Sequence, residues 1–473
     1  PKGQEMDDHY FGVLKPRVAR FMRELDRELW KLGVLAKTEH NEAAPAQHEL
    51  APIFTTTNIA ADHNQLTMEM MKKTAQKHGL VCLLHEKPYD GVNGSGKHNN
   101  WSLSTDTGIN FLKPGKEPDK NPLFLLSLAA VIKAVDEHQE LLRISVATAG
   151  NDHRLGANEA PPAIISIFLG EELTHLLESI ENGEHHDNAK RERMNMGSDI
   201  IPSIRKDNTD RNRTSPFAFT GNKFEFRMLG SASSISDTNV MLNTMVADVF
   251  AEFADRLEKA ENFDFEVNSI IKETMDNHKR IIFNGDGYSS EWEKEAERRG
   301  LLNLRSTVDA IPLLKSEENI ALFSRHGVLS RTEINSRVDI ILENYAKTVH
   351  IEALTLIEMM NREVIPAITA YTDLLCTAVL NKNSIGGINS SVERELIARL
   401  SAANKEIYSL TGELKMAVSS AERTKDVLEK ATMYHDTILK LMGDIRKYAD
   451  SAESVVPSDY WPYPSYGDLL FNI

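Results

Sequence analysis

Residues 85–102 read HEKPYDGVNGSGKHNNWS, and GVNGSGKH within them matches the phosphate-cradling GxxxxGK[ST] pattern at every position but the last. Where such a loop offers magnesium a Ser or Thr hydroxyl, the chain has His98. A loop of that kind also opens a helix, whereas KHNNWSLST at 97–105 reads as a strand. Side chains two apart on a strand share a face. His98, Asn100 and Ser102 therefore stand together just after Gly94 and Gly96, which let a backbone come close to a ligand. Their face is either a wall turned to a ligand or a polar strand edge.

KFEFR at 223–227 follows the same rule, with Lys223, Glu225 and Arg227 on one side and Phe224 and Phe226 on the other. A carboxylate between two cations suits a divalent ion held by Glu225, the cations facing phosphate or carboxylate oxygens. It equally suits an ion-pair ladder on an edge strand. HNEAAPAQHE at 40–49 carries Glu42 and Glu49 around a proline at the mouth of a strand. NDHRLGANEAPP at 151–162 holds Arg154 and Glu159 ahead of a helix, where an acid can act as a cap. TDRNRTSP at 209–216 adds Arg211 and Arg213. Singly, each has a structural explanation as good as a functional one.

The elements that must position these residues follow from periodicity. Helical spacing covers 10–35, 58–78 up to Gly79, 123–143 and 159–173. Strands are expected at 47–54, 80–88 and 97–105, with a pair over 215–229 turned at Gly221 and Asn222. From about residue 235 the chain reads as nearly all helix. Ser330 and Glu333 form a capping box before a run to about 364 that Pro366 should end, and a turn follows at 381–391. Val427, Ala431, Tyr434, Ile438, Leu441, Ile445 and Tyr448 fit one seam of a helix packed antiparallel on its neighbour. The aromatic tail from Pro457 should dock on its own or a neighbouring subunit.

A length of 473 residues allows one large core or two to three ordinary ones, with more than one domain expected, and 41% hydrophobic with 26% charged residues lies in the soluble globular range. No apolar run approaches the ~20 residues of a membrane span, so no membrane partner is expected. Cys82 and Cys376 are the only cysteines, which suits a cytoplasmic location. A net charge of -16 argues against nucleic acid as a partner, so any cations serving ATP or a carboxylate must be concentrated locally. The chain opens at Pro1 without an initiator Met and is expected to be a fragment.

Taken in order, NEAAPAQHE, GVNGSGKH, NDHRLGANEAPP, NRTS and KFEFR resemble the carboxyl-terminal catalytic region of glutamine synthetase. HEKPYDGVNGSGKHNNWSLST and GNDHRLGANEAPPAI are most similar to the large type III bacterial form. The resemblance spans roughly 40–230 and implies an α+β fold. Its antiparallel-sheet catalytic domain, of the glutamine synthetase/guanido kinase type, would fill 1–262, with a helical extension over 263–473. It also implies ATP-dependent ligation of ammonia to glutamate through γ-glutamyl phosphate, in a cytoplasmic homo-oligomer, a dodecamer of two hexameric rings.

Two or more divalent ions, Mg2+ or Mn2+, are implied per site, with Glu42 and Glu49 on the first and His98 and Glu225 on the second. Asn93 and Gly94 would hold the amino acid, Arg154 its carboxylate, and Glu159 a flap over the intermediate. Arg213, Lys223 and Arg227 would neutralise phosphate and γ-carboxylate charge, with Asn100 and Ser102 beside the nucleotide. The family's upstream acidic pair should lie before Pro1. SPFAF stands where the family usually places one more arginine. A γ-glutamyl ligase for another amine and an inactive paralogue kept for assembly or regulation are the alternatives.

Overall fold

The computed structural model describes residues 3–158, 160–182, 193–194, 204–205 and 215–471. They form two units, Gly3–Ile334 and Asn335–Ile473. In the first, Val18, Met22, Leu25 and Leu29 make one buried stripe along helix α1 (Pro16–Lys31). Residues 10–15 fall outside it, because Pro16 takes the first-turn place where a missing N–H costs nothing. Strands β1 (Ala36–Asn41) and β2 (His48–Pro52) pair as an antiparallel hairpin. Helix α2 (Thr57–Lys77) stops before Gly79, whose φ is 62°.

The strand expected at 80–88 does not form. Its apolar members Val81 and Leu83 are exposed, so no burial drives pairing there. The glycine turn therefore joins irregular chain to strand β3 (Gly96–Trp101), which finds its partner far along the sequence. The helix expected over 123–143 breaks at His138 into α3 (Pro122–Glu137) and α4 (Gln139–Ile144), and α5 (Ala149–Arg154) follows.

The helix expected over 159–173 is instead extended chain as far as it is described, with β4 (Ile167–Phe168) inside it. Pro161 and Pro162 push the residues before them out of the helical region, and Ile164, Ile165 and Ile167 are buried as a β-branched run. Helix α6 (Glu171–Glu181) begins only after Gly170. Strands β5 (Arg193–Met194) and β6 (Ile204–Arg205) form a small antiparallel pair. Strands β7 (Phe217–Phe219) and β8 (Phe224–Gly230) form the expected hairpin, with φ of 93° at Gly221.

The main sheet has the order β3-β8-β7-β4 and is antiparallel except where β4 pairs with β7. On its buried face Phe217 stacks on Phe224, centroids 4.6 Å apart and planes 5° off parallel, and Phe226 meets Phe217 edge-on. Phe124 of α3 lies against Phe219, 6.0 Å between centroids, and ties the sheet to the helical layer. Helix α3 packs in turn on α7 (Ser236–Glu258) and α8 (Phe263–His278). Helices α9 (Ser290–Arg298), α10 (Thr307–Ala310) and α11 (Glu317–Arg325) complete the unit.

Helix α12 (Arg331–Met359) starts at the expected capping box, with the Ser330 N–H donating to Glu333 Oε2 at 2.7 Å. Pro366 does not end the run. A π-turn over Met360–Val364 leads into α13 (Ile365–Ile385), placing Pro366 in a first turn where it is tolerated. Among the described residues, 331–385 is one helix long and apolar enough to cross a membrane by length and composition, contrary to the expectation of no such run. In the second unit α13 packs on α14 (Ser391–Arg423).

Helix α15 (Val427–Met433) and a π-turn over Tyr434–Leu439 lead into α16 (Lys440–Glu453), which packs on α14. Ala431, Tyr434, Ile438 and Ile445 are buried as the seam requires. Tyr448 is exposed and Ala449 buried in its place, because past the π-turn the apolar stripe returns to the 3.6-residue period. The tail docks within its own unit: Tyr460 lies on Tyr371, 5.6 Å between rings, before α17 (Tyr466–Leu470).

Phe224 is the residue on which the sheet's stacking centres. Phe224→Ala should destabilise the protein by roughly 3–5 kcal/mol, read as a lower urea midpoint.

Candidate functional site

Antiparallel pairing of β3 with β8 sets Asn100 opposite Glu225 and Trp101 opposite Phe224. The alternation sends His98, Asn100, Glu225 and Arg227 to one face and Asn99, Trp101, Phe224 and Phe226 to the other. The register shifts between Lys97 and Asn99, beside His98, in the manner of a bulge that re-aims a side chain. His98 Nδ1 lies 3.6 Å from Glu225 Oε1, and Arg227 Nε lies 3.5 Å from the same oxygen. Arg227 is buried, with Nη2 donating to the Ser215 carbonyl at 3.2 Å.

The His98 ring keeps 50% exposure yet is closely surrounded by protein. That desolvation lowers its pKa against the pull of Glu225; Arg227 and Arg154 lower it further and Glu49 opposes them. An imidazole so placed stays neutral near pH 7, with a lone pair to offer.

In that hairpin His40 is paired directly across from Glu49, and Glu42 follows β1 by one residue. His40 Nε2 is 3.2 Å from Glu42 Oε1 and 3.0 Å from Glu49 Oε2, and one ligand atom from each of the three lies within 4.8 Å of the others. The Tyr10 ring meets the imidazole edge-on at 5.4 Å. Gln47, in the loop between the strands, donates from Nε2 to the Gly94 carbonyl at 2.9 Å and to Ser95 Oγ at 3.1 Å. The hairpin and the glycine turn are thereby tied.

Asn93 is buried, its N–H donating to Gln4 Oε1 at 2.7 Å and its Oδ1 accepting from Gln4 Nε2 at 2.6 Å. Beneath the turn lies Arg154, also buried. Its Nη1 donates to Asn151 Oδ1 and to the Met228 and Leu229 carbonyls at 3.2–3.3 Å, and its Nη2 to the Arg227 carbonyl at 3.2 Å. This setting differs from the free fork expected of a carboxylate ligand. Burial lowers its pKa to about 10 against the pull of Tyr288 and Glu86, which leaves it a cation at neutral pH. A Cβ at Gly96 would overlap Arg154 Nη2, so the turn closes over the guanidinium only because glycine stands there.

Of the other expected site residues, Ser102 Oγ donates to the Asn222 carbonyl at 2.8 Å and so braces the β7–β8 turn. Lys223 sits half-buried at that turn. Glu159, Arg211 and Arg213 lie outside the described residues. Reading the sequence missed His40 and Gln47. His40 could have been found from its two-residue spacing to Glu42 on a strand, whereas Gln47 had no such signal. It also missed Arg143, whose Nη2 donates to Asp152 Oδ1 at 2.8 Å, holding α5 and with it Arg154. That pairing joins two helices separated by a loop and leaves no motif.

Comparison with known proteins matches residues 2–165 to the glutamine synthetase catalytic domain and 266–383 to the glutamine synthetase C-terminal domain. Over its whole length the chain is 50% identical to a glutamine synthetase of Butyrivibrio fibrisolvens, covering 68% of that protein. It is 45% identical to the type-3 glutamine synthetase of Dictyostelium discoideum and 42% to a glutamine synthetase of Bacteroides fragilis, again over its whole length and covering 65% and 66% of them. The chain belongs to the glutamine synthetase family. It spans about two thirds of the length of these relatives.

The fit of Gly96 over Arg154 can be tested by stability alone. Gly96→Ala should displace the guanidinium from the Arg227 carbonyl and cost about 1–3 kcal/mol, measured by urea unfolding.

Proposed function

We propose that the protein is a glutamate-ammonia ligase that joins ammonia to the γ-carboxylate of L-glutamate at the expense of ATP, giving glutamine, ADP and phosphate. The observation that carries this reading is the meeting of His98, Glu225 and Arg227 on one strand face, with the hairpin that bears Glu49 tied by Gln47 to the turn beside it, in a chain of this family.

The donor set fits divalent ions. Glu42 and Glu49 turn carboxylate oxygens toward one another and toward His40, and Glu225 stands beside a neutral imidazole. Carboxylates with a single imidazole suit Mg2+ or Mn2+ better than a structural zinc. Glu42 and Glu49 would hold one ion, and His98 with Glu225 the other. Such ions, when bound, cancel negative charge on phosphate and carboxylate oxygens.

In the first step a γ-carboxylate oxygen attacks the γ-phosphorus of ATP and ADP leaves. In the second, ammonia adds to the acyl carbon, its nitrogen gives up one proton, and phosphate departs with the C–O bonding pair and takes that proton. Both reactants of the first step are anions, so cations must face them. Arg227, Lys223 and Arg213 are assigned to the phosphate and γ-carboxylate, and Asn100 and Ser102 to the nucleotide. Asn93 and Gly94 are assigned to the amino acid, with the charge of Arg154 beneath them opposite its α-carboxylate. Glu159 is assigned to the flap that keeps water from the acyl phosphate.

The catalytic region would end near residue 262 and the extension begin at 263, a boundary supported by the C-terminal family match from residue 266. Residues 263–334 nevertheless fold with the sheet. The working form would be a cytoplasmic homo-oligomer, a dodecamer of two hexameric rings.

The intact protein should release phosphate from ATP only when glutamate and ammonium are both present, measured by a coupled phosphate assay across a panel of amines. Release with larger amines alone would replace ammonia as the co-substrate, and no release with any amine would favour an inactive paralogue. His98→Ala should lower turnover at least about a hundredfold and weaken Mn2+ binding, while size-exclusion chromatography shows the assembly unchanged. Unchanged turnover would remove His98 from the site.

A further inference from the structure

Glu86 lies in the irregular segment before the glycine turn and is 4% exposed, a rare place for a carboxylate. Three segments close on it. Its carbonyl accepts the Ser95 N–H at 2.8 Å, which fixes the height of the turn. Its Oε1 accepts the Ala232 N–H at 3.0 Å, just past the end of β8. Its Oε2 faces Gly150 in the first turn of α5. Cβ atoms at Gly94, Gly150 and Gly230 would each overlap Glu86, the first at its carbonyl and the other two at its carboxylate. The backbone has thus been drawn around this one residue from three directions, two of them on its carboxylate, and its charge bears on both Lys97 and Arg154.

From this arrangement we propose that Glu86 is a positioning residue for the amino-acid subsite, fixing the Asn93–Gly94 turn over Arg154 without touching the substrate. The proposal rests on the ligase reading above, which gives Asn93 and Gly94 to glutamate. Bonded through its carbonyl to the turn and through its carboxylate to the end of β8, Glu86 sets the spacing between them. Gly150 brings the first turn of α5, the helix that carries Arg154, against the same carboxylate. Loosening Glu86 shifts the turn relative to the guanidinium, while the nucleotide face of β3 and β8, held by its aromatic back, stays in place. The effect therefore falls on one substrate and spares the other.

The test is steady-state kinetics of the intact protein carrying Glu86→Gln, which keeps the shape and removes the charge. The KM for glutamate should rise about tenfold, while the KM for ATP and kcat stay within about twofold. If that variant does not fold, Gly150→Ala, which presses on Oε2 and leaves the charge, should give the same split. An unchanged KM for glutamate overturns the proposal, as does a fall in kcat with both KM values unchanged, the mark of a role in folding alone. Wild-type protein without glutamate-dependent phosphate release overturns the ligase reading and this proposal with it.

Discussion

Pairing of β3 with β8 sets an imidazole, a carboxylate and a guanidinium within 3.6 Å contacts on one face while four apolar or amide side chains fill the other. Gathering such groups is unfavourable by itself, since each loses water. The back of the sheet offsets that cost through the Phe217, Phe224 and Phe226 cluster and through Trp101. It also fixes the register. Asn99 Nδ2 donates to Asn239 Oδ1 at 3.1 Å and Trp101 Nε1 to Asn243 Oδ1 at 2.9 Å, so β3 is pinned to α7 by bonds that only one alternation allows. A slip of one residue would bury His98 and Glu225 and expose the aromatics.

The same economy governs the cations. In a chain of net charge -16, a site for anions needs positive charge that surrounding carboxylates do not cancel. Arg154 donates to strand carbonyls, which occupy its N–H groups without cancelling its charge. Arg227 differs, with a carbonyl on one side and an ion pair to Glu225, shared with His98, on the other. Arg143 is also ion-paired, with Asp152, and it serves to hold a helix.

The strand face was legible because two-residue alternation in KFEFR and KHNNWS needs no knowledge of the partner strand, although β8 begins after Lys223, β3 ends before Ser102 and the register shifts beside His98. The family was legible because five motifs occur in order. What misled was local pattern without context. Residues 80–88 open with an apolar run like a strand's, yet Val81 and Leu83 are exposed and burial gives them nothing to pair against. Residues 159–173 carry helical spacing, but the proline pair and the buried isoleucines favour extended chain. Pro366 looked like a stop, and a π-turn just ahead of it absorbs the strain. Glu86 and Arg143 could not be read because their partners are dispersed: Gly150 and Gly230 for one, Asp152 across a loop for the other.

The near match of GVNGSGKH to a phosphate loop has a physical origin that the fold makes plain. Both need glycines where backbone meets a group too close to admit a Cβ. In a phosphate loop that group is the ligand. Here Gly94 rests on the Glu86 carbonyl and Gly96 on the Arg154 guanidinium, so the glycines accommodate the protein's own charged groups below the turn. The outer side of the turn is left to the Gly94 carbonyl, which Gln47 already holds, and to the strand that carries His98 away from it. The residue that breaks the pattern is the one whose ring the strand aims at Glu225, while the glycines carry the support.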